Sequence, residues 1–207
     1  MSKEVEVILL AAGASSRMKG GDKTLELVEG IPLIRHLALE ALASKAAQTT
    51  VILPPDKLLR QKALEDLPVK ILIAREAHLG MAHSLKTAMQ NLTETTQGAL
   101  IVLSDMPEIK TGHLNRMIER FSWDNPEQIL RAKDQNGKEG HPTLFGKGHF
   151  KALAMLTGDR GARHLLKTAQ DHLEFVRFDD LAPTTDLDTP QEWAAWRGKE
   201  ARKTGGR

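Results

Sequence analysis

An α/β fold is predicted for this chain: a three-layer sandwich around a mostly parallel, mixed sheet. Three observations predict it. Strand and helix patterns alternate along most of the 207 residues, as in a parallel sheet covered by helices. The run Ala99–Leu103 is apolar throughout, as in a strand buried on both faces. The second half breaks strict alternation, which makes the sheet mixed rather than purely parallel.

The elements follow in order. A first strand is expected over Val5–Ala11. Pro32 stands where a helix can start, and Leu33, Ile34, Leu37, Ala38, Ala41 and Leu42 repeat at helical spacing. Thr49–Leu53 reads as a second strand, ended by Pro54-Pro55, and Asp56 is placed to cap a short helix to about Leu64. Val69–Ile73 is the third strand. Gly80 precedes a helix with Met81, Leu85, Ala88, Met89 and Leu92 on one face. The strand Ala99–Leu103 ends in Ser104-Asp105-Met106-Pro107, and Thr111 is the expected cap of a helix presenting Leu114, Met117, Ile118 and Phe121.

Strands at Gln128–Ala132 and Pro142–Phe145 flank a polar turn over Asp134–Gly140. Helices near Gly148–Leu156 and Gly161–Ala169, a strand at Phe175–Phe178 and a last helix carrying Trp193 and Trp196 complete the pattern. One domain is expected over residues 1–197, with a basic, disordered tail over 198–207.

Composition excludes several classes. The net charge of +2 gives no argument for nucleic acid. No run of apolar residues is long enough to span a membrane, and the N-terminus enters a strand too early for a signal peptide, so a cytoplasmic protein is expected. The absence of cysteine excludes disulfides, a thiolate nucleophile and cysteine-ligated metal.

The chemistry concentrates in the loop after the first strand, Leu10-Ala11-Ala12-Gly13-Ala14-Ser15-Ser16-Arg17-Met18, followed by Lys23. Small residues let the backbone approach a ligand and aim N–H groups at an anion, and the two cations can neutralise phosphate. The loop is neither of the two common phosphate loops: it lacks Gly-x-x-x-x-Gly-Lys-Ser/Thr and Gly-x-Gly-x-x-Gly. Asp105 ends a buried strand, at the sheet edge where ligands of open α/β sheets bind. A carboxylate beside a triphosphate fits Mg²⁺ between them; a helix-entry cap is the other reading. Asp186-Leu187-Asp188-Thr189-Pro190 offers a second carboxylate, with either aspartate also placed to cap the last helix.

These motifs resemble, in order, those of the molybdenum cofactor nucleotidyltransferases, the cytidylyltransferase branch in particular. Leu-Ala-Ala-Gly-x-x-x-Arg-Met plus a lysine matches the first loop, Asp105-Met106-Pro107 the metal aspartate, and Asp186-Leu187-Asp188-Thr189-Pro190 the closing motif. The resemblance implies a nucleotide-diphospho-sugar-transferase-like, Rossmann-like fold. It implies Leu10, Ala11, Ala12, Gly13, Ser15, Arg17, Lys23, Gly80 and Ser84 at the nucleotide, Arg17, Lys23 and Asp105 in catalysis, and Asp105 and Asp188 on Mg²⁺. The Gly140-His141-Pro142 and Gly158-Asp159-Arg160-Gly161-Ala162-Arg163 segments resemble the acceptor side, which assigns His141, Asp159, Arg160 and Arg163 there.

The implied reaction moves CMP from CTP to the terminal phosphate of the molybdopterin-type cofactor, with a molybdoenzyme as candidate recipient. Transfer from GTP or another nucleotide to a different phosphorylated acceptor is the alternative within the class. A non-catalytic carrier of the cofactor is the alternative outside it. One departure from the family loop is Lys19-Gly20-Gly21 after Met18, which lengthens the loop before Lys23.

Overall fold

The structure is a computed structural model that describes residues 4–157 and 162–204. Nine strands occur among them. β1 (Glu4–Leu10), β4 (Gln48–Leu53), β5 (Lys70–Ile73), β6 (Thr96–Leu103), β7 (Ile129–Lys133), β8 (Glu139–Gly146) and β9 (Leu173–Arg177) form one sheet in the order β5-β4-β1-β6-β8-β7-β9. A two-stranded hairpin, β2 (Leu27–Val28) with β3 (Ile31–Pro32), stands apart; the sequence pattern did not show it because each strand is too short to carry a period.

Six of the seven strands run parallel. β8 alone is antiparallel, to β6 on one side and β7 on the other. That reversal has a functional consequence. The carboxyl ends of β1, β4, β5 and β6 meet at one edge, and the beginning of β8 comes to the same edge.

Alternation along β1 builds the two cores. Val5, Val7 and Leu9 face one side and pack with α1 (Leu33–Leu42), α4 (Thr111–Arg120) and α7 (Pro190–Thr204) through Leu33, Leu37, Met117 and Trp193. Ile8 and Leu10 face the other side, against α3 (Met81–Met89) and α5 (Phe150–Ala154), where Leu85, Ala88 and Leu153 complete the layer with Phe145. The short α6 (Arg163–Thr168) adds Leu165 and Leu166 to this second layer. The expected three-layer sandwich is therefore present. No helix among the described residues is long and apolar enough to cross a membrane.

Several local expectations change. The short helix after β4, α2 (Leu58–Lys62), begins after Lys57, and Asp56 makes no cap. Thr111 is the first residue of α4, and its hydroxyl donates to Glu40 of α1. The last helix runs on to Thr204, through most of the segment expected to be a disordered tail. Lys199, Glu200, Ala201 and Arg202 are good helix formers, and Arg202 Nε donates to the Gly198 carbonyl one turn back. α7 is capped by neither aspartate. Thr189 Oγ1 accepts from Glu192 N, while Glu192 Oε2 accepts from the Thr189 and Asp188 backbone N–H groups. This is a capping box, and it leaves both aspartate side chains to the sheet edge.

Candidate active site

The loop leaving β1 is held from beneath by a buried arginine. Arg60 of α2 is 0% exposed. Its Nη1 donates to the Ala11 carbonyl at 2.5 Å, Nε and Nη2 grip Asp22 at 2.8 and 2.9 Å, and Nη2 reaches Ser15 Oγ at 3.3 Å. Asp22 also accepts from Thr24 N and Oγ1 and from Ser15 Oγ. Burial alone would raise the Asp22 carboxyl, but the Arg60 and Thr24 bonds hold it below the usual range. Ser15, in the left-handed region at φ 54°, spends its hydroxyl on this network rather than presenting it as a phosphate donor. Neither Arg60 nor Asp22 was marked by sequence reasoning. Arg60 stands in the mixed segment Leu58-Leu59-Arg60-Gln61-Lys62, and nothing in that segment says which loop the guanidinium meets.

The far end of the loop carries the charges. Lys23 Nζ lies 2.7 Å from Asp105 Oδ2 and 2.6 Å from Asp188 Oδ1. Arg17 Nη1 lies 2.5 Å from Asp188 Oδ2. Leu187 N donates to the Asp105 carbonyl, which stitches the 186–188 loop to the end of β6. Burial opposes charge on both partners. Even so, the two carboxylates raise the Lys23 ammonium, and Lys23 with Arg17 holds Asp188 below its ordinary value. Lys138 pulls on Asp186 only weakly, so burial and then the charges of Asp105 and Asp188 push its carboxyl up.

Two cavities meet at this junction. The first, about 670 Å³, is lined by Leu10, Ala12, Gly13, Lys23, Gly80 and Ser84 among others. Of the residues assigned to the nucleotide, Ala11, Ser15 and Arg17 are not on its wall. A Cβ at Gly13 would meet nothing within 4 Å, so the bare backbone there is open to a ligand rather than required by packing. Pro54, Pro55, Arg75 and Met81 also line this cavity. In the sequence the prolines mark a strand stop and Met81 belongs to the apolar face of a helix. All follow strand carboxyl ends or open a helix at the same edge, which is the signal that finds them.

The second cavity, about 320 Å³, shares Leu10, Met81, Leu103 and Asp105 with the first. His141, Thr143, Arg131, Arg163 and Asp186 supply its polar lining. Of the residues expected at the acceptor, His141 and Arg163 both lie on this lining. Asp159 and Arg160 lie outside the described residues. Among the described residues four buried side-chain atoms lack a hydrogen-bond partner, and three belong here: Asp105 Oδ1, His141 Nδ1 and Thr143 Oγ1. Burial and then the Arg131 charge push the His141 imidazole down to about 4, against the opposing pull of Asp105 and the Ile101 backbone.

The donor set decides what a metal would find. No group of three or more His, Asp or Glu that could hold a metal occurs among the described residues. What exists is two carboxylates converging on one cation, with Asp105 Oδ1 left unpartnered. One or two carboxylates completed by substrate phosphates is how Mg²⁺ is commonly held, so the residues fit it.

Comparison with known proteins agrees with this architecture. Residues 7–174 match the family model of the MobA-like NTP transferase domain. The bifunctional protein GlmU of Desulfotalea psychrophila (strain LSv54 / DSM 12343) is 27% identical over 150 residues, which is 71% of this chain and 43% of GlmU. The chain therefore spans less than half the length of that relative.

Among solved structures, the Rv0371c homologue from mycobacterium sp. strain JC1 is 26% identical with a TM-score of 0.84, covering 98% of this chain and 99% of that one. The manganese complex of Rv0371c from Mycobacterium tuberculosis H37Rv is 20% identical at TM-score 0.79, over 94% and 98% of the two chains. CMP:2-keto-3-deoxy-manno-octonic acid synthetase complexed with CTP is 14% identical at TM-score 0.78, over 97% and 100%. The last two are likenesses of fold. The family model covers well over half of the sequence: the chain belongs to the MobA-like NTP transferase domain family.

Proposed function

We propose that this chain is a nucleotidyltransferase that moves CMP from CTP to the terminal phosphate of a molybdopterin-type cofactor, with Mg²⁺ as metal. The observation that carries the reading is the Lys23 ammonium clamped between Asp105 and Asp188 where two cavities join. A donor triphosphate in the first cavity and an acceptor phosphate in the second would meet at that point. The acceptor oxygen attacks the α-phosphorus, and the bond to the bridging oxygen of the β-phosphate breaks. Pyrophosphate leaves with the electron pair.

The chain's own residues position and neutralise. Lys23 and Arg17 offset the charge that builds on the α-phosphoryl oxygens and the leaving group. Arg60 keeps the loop in the shape that aims its backbone at the phosphates. Asp105 and Asp188 would hold Mg²⁺, which supplies Lewis-acid stabilisation of the phosphate oxygens. Such transfer is mainly positioning and electrostatics, so His141 need not act as a strong base.

Support for CTP comes from the Leu-Ala-Ala-Gly loop and from fold neighbours that include a synthetase complexed with CTP. Divalent-metal use is supported by the converging carboxylates and by a manganese-bound neighbour. The molybdopterin acceptor rests on the Gly140-His141-Pro142 and Gly158–Arg163 motifs.

The test is pyrophosphate release with Mg²⁺ and molybdenum cofactor, comparing CTP, GTP, ATP and UTP. Release with CTP alone is expected. Release with GTP keeps the mechanism and overturns the base. Silence with all four, from folded protein that binds nucleotide, overturns the acceptor and favours the carrier.

A further inference from the structure

The polar turn between β7 and β8 does more than reverse the chain. Asp134 follows the end of β7, at the edge where β1 and β6 also end, and is only 2% exposed. Its Oδ1 accepts from the Asn136 and Lys138 backbone N–H groups, both at 2.9 Å, which closes the turn. Closing the turn uses one carboxylate oxygen. The other, Oδ2, accepts from the Thr184 hydroxyl at 2.7 Å, 50 residues on in the chain. That bond ties the β7–β8 hairpin to the segment that leads into Asp186 and Asp188.

A second contact fastens the same two pieces. A Cβ at Gly140 would fall 1.7 Å from the Pro183 carbonyl oxygen and 2.5 Å from the Pro183 carbonyl carbon, so no side chain fits there. The start of β8 therefore lies directly on the 182–184 turn, which gives the glycine of Gly140-His141-Pro142 a packing reason. Pro183 and Asp186 stand on the wall of the second cavity with His141. Farther along, Leu187 N donates to the Asp105 carbonyl at 2.9 Å. The 182–188 strap is thus tied to β7 at one end and to the end of β6 at the other.

We propose that Asp134 is a positioning residue of the transfer site: through Thr184 it holds the strap so that Asp188 stays on Lys23 and beside Asp105. Asp188 lies four residues past Thr184. Each extended residue spans about 3.3 Å, while a working site tolerates displacements of only about 0.5 Å, so slack at Thr184 is enough to misplace the carboxylate. Asp134 touches neither the nucleotide cavity nor the acceptor cavity and acts only through the strap. The consequence for metal rests on the reading of Asp105 and Asp188 as the metal carboxylates; the tether itself does not.

The test uses the full chain and two readouts. Thr184→Val keeps the side chain's shape and removes the donor, and Thr184→Ser keeps the donor. Asp134→Asn keeps an acceptor for the turn and loses the carboxylate. Thr50→Val is the control: Thr50 Oγ1 donates to the buried Glu6 carboxylate at 2.5 Å, on β4 and away from the strap. The first readout is hydrogen exchange at the Leu187 amide. It is expected to quicken about tenfold in Thr184→Val, to quicken in Asp134→Asn, and to stay near the unaltered rate in Thr184→Ser and Thr50→Val. The second is Mn²⁺ bound in the presence of CTP, followed by electron paramagnetic resonance. Thr184→Val is expected to weaken it about tenfold, the lower end of what loss of a ligand's supporting contacts costs, with rescue in Thr184→Ser.

Unchanged Leu187 exchange in Thr184→Val overturns the proposal. So does unchanged Mn²⁺ affinity, or an equal loss in Thr50→Val, which would mark a merely structural bond. Failure of the metal reading looks different. If the unaltered chain with CTP holds no Mn²⁺, the assignment of Asp105 and Asp188 falls, while Leu187 exchange that quickens in Thr184→Val and not in Thr50→Val upholds the tether.

Discussion

The two cavities are built on opposite plans. Around the first, the polar groups of the loop already have partners: Arg60 with Ala11, Ser15 and Asp22, and Lys23 with Asp105 and Asp188. Around the second, His141 Nδ1 and Thr143 Oγ1 have none, and Asp105, which both cavities share, keeps Oδ1 unpartnered. The contrast teaches how the labour is divided. The loop after β1 is held in shape by contacts within the chain, which on the proposed reading makes its work positioning. On the floor of the second cavity, polar atoms stay unsatisfied within the chain.

The largest expected effect is at the junction, which both halves share. Asp105→Asn should lower transfer by on the order of 10²–10³-fold with the thermal melt little changed. Normal turnover in a folded Asp105→Asn protein would remove the junction from the mechanism and leave two unrelated cavities.

Next comes the preassembly of the donor loop. Arg60→Ala strands the Asp22 carboxylate in a mostly buried place, at a cost of about 3–5 kcal/mol in urea denaturation. A cost near that of a surface substitution would show that the loop does not depend on the guanidinium.

The second cavity makes a pH signature. His141 titrates at about 4 in the fold and near 6.5 when free, so the fold favours the neutral ring. Its contribution is complete above pH 6.5. It is lost as the pH falls from 6.5 toward 4, because the unfolded chain takes up a proton there and the folded one does not. The gap is worth on the order of 3 kcal/mol. His36, buried beside Lys110, is lowered too and adds to the same window. Urea midpoints measured from pH 7 to 4.5 should fall, and His141→Gln should flatten the fall without abolishing it.

The smallest effect concerns the cap that frees Asp188. Glu192→Ala removes the acceptor for two backbone N–H groups and should cost about 1 kcal/mol. It should also raise the metal or nucleotide concentration needed for half-maximal rate, since the 186–189 loop loses one of its anchors. An unchanged requirement would show that the Lys23 and Arg17 ion pairs and the Leu187–Asp105 backbone bond hold Asp188 without the cap.

The main-sheet strands and their order along the chain were legible because buried strands and amphipathic helices write their period into the sequence. Asp105 and the Gly13 loop were legible for a related reason: both follow a strand directly, so a strand's end locates them. Thr189-x-x-Glu192 is also a capping-box pattern in the sequence, next to two aspartates placed to cap the same helix.

Other features depend on partners distant in sequence. Arg60 gives no sign of meeting Ala11 and Asp22, which lie 49 and 38 residues away. The reversal of β8 puts His141 and Thr143 at the same edge as Asp105, and no local pattern encodes a strand's direction. Local periodicity and chain order establish which elements form and which residues end them. Which side chains meet, and which buried atoms are left without partners, is set by packing between segments far apart in the chain.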